Sequence, residues 1–296
     1  AVGYAAGYNL TSGNSNVFVG RSSGVSVLTG VQNVALGYNS MGTANGSESK
    51  NVAIGFNALA LMDSDGDNFN TAVGYEAGLA VTTGTRNTLV GGRAGDALTT
   101  GVRNVAIGYA ALSQEDANSY NVAIGDSALT QLNAGADGYN VAVGYQAGTA
   151  MTTGDLNTIV GGLAGDSLTG GNNNVAIGYL ALSAETLGDR NVAIGNSALG
   201  VQNNTSDVDS YNVAIGYNAG FATTTGIRNT IIGSQAGDAL TTGSYNVAIG
   251  FDALTTEDAH GRNIAIGYRS LKVQDAGADA YNVAVGYDSG LSITTG

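Results

Sequence analysis

Three aspartates recur at the same phase of this sequence, each directly after an Ala-Gly pair. They are Asp96, Asp166 and Asp238, separated by 70 and 72 residues (96 to 166 and 166 to 238). Two carboxyl groups could hydrolyse a glycosidic bond if they lay roughly 5 to 10 Å apart. Asp is also a common residue at turns, where its side chain bonds to the backbone. We interpret the three as turn-capping residues, with the alternative that a three-fold assembly gathers them.

A second group of carboxylates could bind calcium. The run 63–67, Asp-Ser-Asp-Gly-Asp, alternates side-chain oxygens, which makes Asp63, Asp65 and Asp67 candidate ligands. The run lacks the bidentate Glu at the twelfth place of an EF-hand loop. The run 91–96, Gly-Gly-Arg-Ala-Gly-Asp, is similar to a calcium-binding nonapeptide, but its spacing and repeat length differ. We interpret both runs as loops without metal, keep calcium as the alternative, and expect no cofactor.

Nucleophilic catalysis has no complete set of residues. His260 is the single histidine, and it stands beside Glu257 and Asp258 in a chain without cysteine and without a recurring serine partner. Neither Lys50 nor Lys272 belongs to a Gly-x-x-x-x-Gly-Lys phosphate loop. We therefore predict that His260 is a surface residue and that the protein is not an enzyme.

These residues lie in one short unit that is repeated along the whole chain. The unit is Asn-Val-Ala-Ile-Gly-Tyr-x-Ala-Leu, as at 104–112, and successive copies begin 17 to 21 residues apart. Such a fixed short period is the signature of a solenoid. The opening asparagines are Asn16, Asn33, Asn51, Asn70, Asn87, Asn104, Asn121, Asn140, Asn157, Asn174, Asn191, Asn212, Asn229, Asn246, Asn263 and Asn282.

The columns of the repeat predict the coil, and position n denotes the nth residue after the opening Asn. Positions one to three alternate like a strand, the invariant glycine at position four supplies a bend, and Tyr-x-Ala-Leu at positions five to eight predicts a second short strand. Because position two is apolar as well, we expect both strand faces to be buried, one of them against another chain. The structural ladder is represented by Asn104, Ile107, Gly108, Tyr109, Ala111 and Leu112.

Two columns have an alternative interpretation. The recurring Tyr at position five could be a stacking platform for sugars, although recurrence at a fixed position favours a structural ladder. The Asn column is typical of side chains that satisfy turn backbone groups and stack along the coils.

A longer rhythm groups the coils in fours. Position eight reads Gly, Gly, Leu, Leu in the sets over 70–281, and Met41 replaces one Leu in the first set. In the second coil of each set, position two becomes large while position five loses its aromatic ring. We predict that the bulky residue fills the space that Tyr fills elsewhere. The chain is thus predicted to be one array over 1–296, cut from a longer chain. Its sets are 1–69, which is less regular, 70–139, 140–211, 212–281, and 282–296, which begins another.

Composition excludes several classes of protein. The chain has 47 Gly, no Pro, no Cys and a formal net charge of −13. Neither disulfides nor thiolate metal sites are available. The ten basic residues are scattered singly along the sequence, so we expect no nucleic-acid partner, and without a long apolar run we expect no membrane contact within this segment.

The run Asn-Val-Ala-Ile-Gly-x-x-Ala, repeated after a Gly-containing loop, resembles the head repeats of YadA-like trimeric autotransporter adhesins. The Tyr-x-Ala-Leu and Thr-Thr-Gly-x-x-Asn elements are similar to repeats of phage tail-fibre proteins. The resemblance covers essentially the whole chain, but the coils are longer than the adhesin repeat. It implies a left-handed parallel β-roll wound as a homotrimer.

These observations predict an all-β fold, a parallel β-roll or solenoid of about 17 coils of 17 to 21 residues. We expect a non-enzymatic segment of an extracellular or virion fibre that spaces or presents a tip, which would bind a cell-surface glycan or receptor. The owner would be a phage tail fibre or a surface adhesin. The alternatives are a carbohydrate-active tail-spike protein and a self-polymerising filament with glycans on its loops. The glycosylation sequons are Asn9, Asn45, Asn203 and Asn204.

Overall fold

The computed structural model describes residues 1–44 and 46–295, and these residues form strands and turns without a helix. The chain divides into two compact units, Ala1–Gln146 and Ala147–Gly296, and each is described by itself. Both are parallel β-solenoids, and their turns add up to about 16. The prediction of an all-β parallel solenoid is confirmed, whereas the single array over 1–296 stays a prediction.

In the first unit each regular coil contributes one three-residue strand. Neighbouring strands pair in parallel with equivalent residues side by side, so that Val105–Ile107 lies beside Val122–Ile124. Every column of the repeat therefore becomes a physical column. The strands are β1 (Val17–Val19), β2 (Val34–Leu36), β3 (Val52–Ile54), β4 (Thr71–Val73), β5 (Thr88–Val90), β6 (Val105–Ile107), β7 (Val122–Ile124) and β8 (Val141–Val143).

The second unit repeats this arrangement and adds a two-stranded sheet in its longer loops. The short sheet pairs Gly188 with Val208 and Asp189 with Asp209. The strands are β9 (Thr158–Val160), β10 (Val175–Ile177), β11 (Gly188–Asp189), β12 (Val192–Ile194), β13 (Val208–Asp209), β14 (Val213–Ile215), β15 (Thr230–Ile232), β16 (Val247–Ile249), β17 (Ile264–Ile266) and β18 (Val283–Val285).

The core of each coil is lined by positions two, seven and eight. In the coil that opens at Asn104, the side chains of Ala106, Ala111 and Leu112 are fully buried. Alternation along the strand turns Val105 and Ile107 outward, where they are partly exposed. The chain by itself therefore buries one face of each strand and leaves the Val/Ile face open.

The prediction of a second strand at Tyr-x-Ala-Leu is wrong. This segment is a turn in which positions six and eight have positive φ, as at Ala110 (51°) and Leu112 (55°), while their neighbours do not. The alternation curls the backbone around the core instead of extending it. Left-handed backbone is especially unfavourable for β-branched residues, which explains why neither position ever carries Val, Ile or Thr.

The glycine at position four is required by both conformation and space. At Gly216, φ is 138°, which is open to glycine and strained for any other residue. A Cβ there would lie 2.6 Å from the carbonyl oxygen of Gly233 in the next coil. The coils can approach to sheet distance at this corner only without a side chain.

The volume exchange exists, but the predicted partner is wrong. Tyr at position five lies outside the coil, so it cannot share space with the buried residue at position two. The exchange is instead with position eight: a Cβ on Gly220 would lie 2.8 Å from Cδ1 of Ile231, and one on Gly237 would lie 3.6 Å from the same atom. One large side chain thus fills the space that two glycines leave.

The opening asparagines join the coils through the interior. Asn229 Nδ2 donates to the carbonyl oxygen of Gly243 at 2.9 Å, which closes its own coil. Its Oδ1 accepts the backbone N–H of Asn246 at 2.8 Å, which ties it to the next coil. From Asn33 to Asn263 each opening Asn is almost fully buried, so the amide replaces water for the backbone groups that it binds.

The volume exchange predicts a compensating pair of substitutions. Ile231→Ala should lower the unfolding free energy by about 2 to 4 kcal/mol, because it leaves a cavity beside Gly220 and Gly237. Adding Gly220→Leu should restore part of this loss, since Leu already occupies the same position with positive φ at Leu199. Urea denaturation of the single and double variants measures the coupling, and strict additivity would contradict the exchange.

The asparagine ladder predicts a large loss from one substitution. Asn229→Ala removes the bonds to Gly243 and Asn246 and should cost about 3 kcal/mol, because two buried backbone groups lose their partner. Asn196→Ala is the matched control, since Asn196 is exposed at position five. Equal denaturation midpoints for the two variants would rule out a structural role for the ladder.

Candidate functional site

The outward strand face is the most extensive candidate surface. We use this name for positions one and three of the three-residue strands, which carry Val, Ile, Leu or Thr and no charged residue in either unit. Most of these side chains are partly exposed, with Leu36 at 43% and Ile107 at 37%. Each unit thus presents a repeating uncharged apolar surface within a strongly acidic chain.

An aromatic ladder follows the outward strand face on one side. We use this name for the aromatic residues at position five, which are exposed on the surface, as Tyr109 is. In the first unit the rings of Tyr38, Phe56 and Tyr75 stack at centroid distances of 5.2 and 5.4 Å. Since neighbouring rings cover each other's faces, ring edges are what these stacks present to solvent. Free ring faces, which a sugar-stacking platform needs, are therefore reduced.

The residues directly before each opening Asn form a second ladder. Most of the basic side chains of the protein belong to it. Sequence reasoning treated the basic residues as scattered, whereas six of the ten occupy this column. They are Lys50, Arg86 and Arg103 in the first unit and Arg190, Arg228 and Arg262 in the second. In the second unit they alternate with tyrosines, and Arg262 lies 5.5 Å from the ring centroids of both Tyr245 and Tyr281.

Carboxylates accompany this second column, so it is not a simple basic stripe. Lys50 pairs with Asp67, Arg190 with Asp209 and Arg262 with Asp279. The column was missed because its spacing varies with loop length, although its fixed place before Asn is a usable signal. The expectation that the chain has no nucleic-acid partner stays a prediction.

The three recurring aspartates stand in separate coils. Asp166 and Asp238 belong to the second unit, where β10, β12 and β14 lie between their coils, which corresponds to about 19 Å at the spacing of parallel strands. Burial raises the pKa of Asp96, Asp166 and Asp238 above the usual range. Oδ1 of Asp96 and of Asp166 is buried without a hydrogen-bond partner among the described residues.

The candidate calcium ligands are exposed and bind to different neighbours. Oδ1 of Asp65 accepts the backbone N–H and the hydroxyl of Ser47 at 2.9 and 3.0 Å, and these bonds lower the pKa of Asp65. Asp67 Oδ2 lies 2.7 Å from Nζ of Lys50. Asp63 is exposed.

Of the glycosylation sequons, Asn45 lies outside the described residues.

Sequence reasoning overlooked a set of buried glutamates at position eleven. Glu115, Glu185 and Glu257 have no solvent exposure and follow one another after 70 and 72 residues (115 to 185 and 185 to 257). These intervals equal the four-coil period, which is the signal that could have found them. Val, Leu or Met occupies this core position in many other coils, as Leu98 and Leu168 do.

Glu185 is fully satisfied by hydrogen bonds. Its Oε1 accepts backbone N–H groups of the turn that follows, including Gly188 at 2.8 Å, and that of Asn204 at 3.0 Å. Its Oε2 accepts Nε2 of Gln202 at 2.8 Å, and Gln202 occupies position eleven of the next coil. Glu257 has the same relation to Gln274, at 3.1 Å.

Glu115 lacks this partner because Leu132 occupies the equivalent place in the next coil. Its Oε1 accepts the backbone N–H groups of Ala117 and Asn118 at 3.1 and 2.7 Å. Its Oε2 is buried without a partner among the described residues, as are both side-chain polar atoms of Asn118. Burial raises the pKa of Glu115 to about 7.

His260 belongs to the turn that follows Glu257. Its side chain is 29% exposed, its backbone N–H donates to Oε1 of Glu257 at 3.1 Å, and Asp258 is exposed beside it. Among residues 1–44 and 46–295, Glu257, Asp258 and His260 are the one group of three His, Cys or acidic residues whose ligand atoms lie within 4.8 Å of one another.

Comparisons of this chain with protein-family models, with curated proteins and with solved structures find no match. The resemblance to adhesin heads and tail fibres therefore stays a prediction. In the described part of the chain there is no pocket and no helix of the length and apolar character that a membrane span requires. The candidate sites are therefore surfaces and buried clusters.

The pKa of Glu115 predicts how stability depends on pH. The pKa of the Glu115 carboxyl is 4.5 in the unfolded chain and about 7 in the folded one, so the folded state holds its proton over this range. The contribution of Glu115 to stability is then fully present below pH 4.5, and about 3 kcal/mol of it is lost as pH rises from 4.5 through 7. Urea denaturation of the wild type and of Glu115→Gln between pH 4.5 and 8 should show that the variant removes this part of the slope.

Leu132→Gln provides a second test of the same environment. A glutamine there would supply the donor that Gln202 and Gln274 supply to their glutamates, so the pKa of Glu115 should fall. The carboxyl carbon of Glu115, followed by NMR, reports that pKa directly. A pKa of about 4.3 for Glu115 in the wild type, the ordinary value for Glu, would contradict the pKa rise that we attribute to its burial.

Proposed function

We propose that this chain is a non-enzymatic structural segment of an extended fibre. In this proposal identical chains associate as a homotrimer through their outward strand faces, and the assembly spaces or presents a tip that binds a receptor or glycan. The segment belongs to a virion tail fibre or to a cell-surface adhesin, so it is extracellular or part of a virion. The observation that carries the proposal is the open apolar face that every regular coil repeats.

The size and composition of that face support burial in an assembly. Soluble monomers rarely expose contiguous apolar patches larger than a few hundred Å². Here each unit exposes Val, Ile and Leu side chains on coil after coil, while its charged residues lie outside the three-residue strands. Covering the face would remove this surface from water at no cost in buried charge.

The period of the face supports a second copy of the chain as its partner. Outward residues recur at the spacing of parallel strands, roughly 4.8 Å, because equivalent residues of neighbouring coils are in register. A chain with the same rise can match every coil over the length of a unit. A globular partner would match only a few coils, and the remaining face would stay exposed.

Closure around a three-fold axis fits the same surface. A cyclic assembly lets each chain cover the next without leaving an open interface that would extend indefinitely. The trimer, the left-handed winding and the fibre location follow from the resemblance to adhesin-head and tail-fibre repeats. The separate positions of Asp166 and Asp238 support a structural role over a glycosidase, since the two carboxylates lie about 19 Å apart by coil count.

Substitution of the outward strand face tests the proposal. The wild-type chain should sediment as a trimer, and Val192→Lys with Ile194→Lys should shift it toward monomer, because the added ammonium groups would be buried at the contact. Thr225→Lys is the control, since Thr225 is an exposed loop residue. Circular dichroism of each variant verifies that the coils remain folded.

A folded wild-type monomer at micromolar concentration in analytical ultracentrifugation would overturn the assembly. A dimer or an open filament would retain the face as the contact and overturn the three-fold closure. Glycan hydrolysis that is lost on substitution of Asp166 or Asp238 would instead establish the enzymatic alternative.

A further inference from the structure

The turn after β16 contains a cluster that fits a metal ion. We propose that Glu257, Asp258 and His260 form a binding site for a divalent transition-metal ion with the ligand preferences of zinc. The three residues belong to one short loop segment of the second unit, with a bend at Ala259. The site is independent of the fibre function, because none of its residues lies on the outward strand face.

The separation of the Glu257 and His260 ligand atoms fits tetrahedral coordination. One ligand atom from each residue lies within 4.8 Å of the other two. Nδ1 of His260 is 3.4 Å from Oε1 of Glu257. Zinc bonds to imidazole nitrogen and carboxylate oxygen are about 2.0 to 2.1 Å long, and two such bonds at the tetrahedral angle separate their ligand atoms by about 3.4 Å. The separation of this pair therefore matches that of two ligands of one ion.

Nδ1 of His260 is an unsatisfied polar atom. It is buried and has no hydrogen-bond partner among the described residues, and its 3.4 Å separation from Glu257 is not a hydrogen bond. A buried nitrogen without a partner is costly, and coordination would satisfy it. The rest of the imidazole is partly exposed, which gives an ion access from the loop edge.

The buried glutamate is held in position by further hydrogen bonds. Glu257 Oε1 accepts the backbone N–H of His260 at 3.1 Å, while Oε2 accepts Nε2 of Gln274 at 3.1 Å and the backbone N–H of Ala276 at 3.2 Å. Such outer contacts orient a ligating carboxylate and raise the affinity of a site. Asp258 is exposed and supplies the third ligand, which leaves a fourth position for water.

The equivalent turns of the other sets provide internal comparisons. After Glu185 the matching residues are Thr186 and Gly188, which offer neither a second carboxylate nor an imidazole. After Glu115 they are Asp116 and Asn118, so the carboxylates are present and the imidazole is not. The nitrogen ligand distinguishes the Glu257 turn and favours zinc over calcium, which prefers oxygen ligands.

Isothermal titration of ZnCl2 into the full chain, purified without a polyhistidine tag, tests the site. We expect one saturable zinc ion per chain. His260→Asn reproduces the residue of the Glu115 turn, so it should fold normally and weaken binding at least tenfold. Glu115→Gln alters a buried glutamate outside the proposed site and should leave binding unchanged. Excess CaCl2 should not compete.

Cobalt substitution provides a second measurement. Co²⁺ bound in a tetrahedral site should give an intense visible absorption that His260→Asn abolishes, and the ring signals of this single histidine should shift in NMR spectra of the zinc-loaded chain. Absence of saturable binding would overturn the proposal. So would equal affinity in His260→Asn, which would assign the binding to scattered surface carboxylates.

Discussion

The solenoid depends on a buried amide that opens each coil. The Asn side chain accepts the backbone N–H of the next Asn and donates to the carbonyl oxygen that ends its own loop, as Asn87 does with Asn104 and Gly101. Both bonds are buried, so water cannot replace them. The amide thereby sets the length of the regular coil and the register between coils. Where loops are longer, the ladder is less complete, and Nδ2 of Asn191 and of Asn263 is buried without a partner among the described residues.

The backbone imposes the second constraint, because each coil must turn sharply at fixed positions. Positions six and eight and the residue before Asn have positive φ, as at Gln235, Leu254 and Tyr245. These columns accept Gly, Ser, Asn, Gln, Ala, Leu, Met, aromatic or charged residues and exclude β-branched ones. The interior is then filled at nearly constant volume, either by Leu at position eight or by one large residue at position two that covers two glycines.

The two proposals rest on groups that this arrangement leaves exposed or without a hydrogen-bond partner. The coil buries its alanines and turns Val and Ile outward, so the apolar surface on which the proposed self-association rests is a by-product of strand alternation. The four-coil period also places a glutamate carboxylate in the core, and the hydrogen-bond partners of this carboxylate differ from one set to the next. Glu185 is fully hydrogen bonded, Glu115 keeps an unpaired oxygen and a raised pKa, and Glu257 faces a histidine. The same position thus ranges from structural to chemically responsive according to one or two neighbours.

The sequence by itself determined the strand, the invariant glycine and the parallel stacking, since a strict repeat forces each column into one environment. The prediction of a strand at Tyr-x-Ala-Leu was wrong, because a turn in which the sign of φ alternates shows the same alternation of apolar residues as a strand. The sequence analysis also predicted that Ile231 exchanges volume with position five instead of position eight, and it did not single out Glu115. Only the tertiary structure decided these points, because which residues share the interior depends on how the turn curls, and a buried carboxylate's pKa depends on neighbours one coil away.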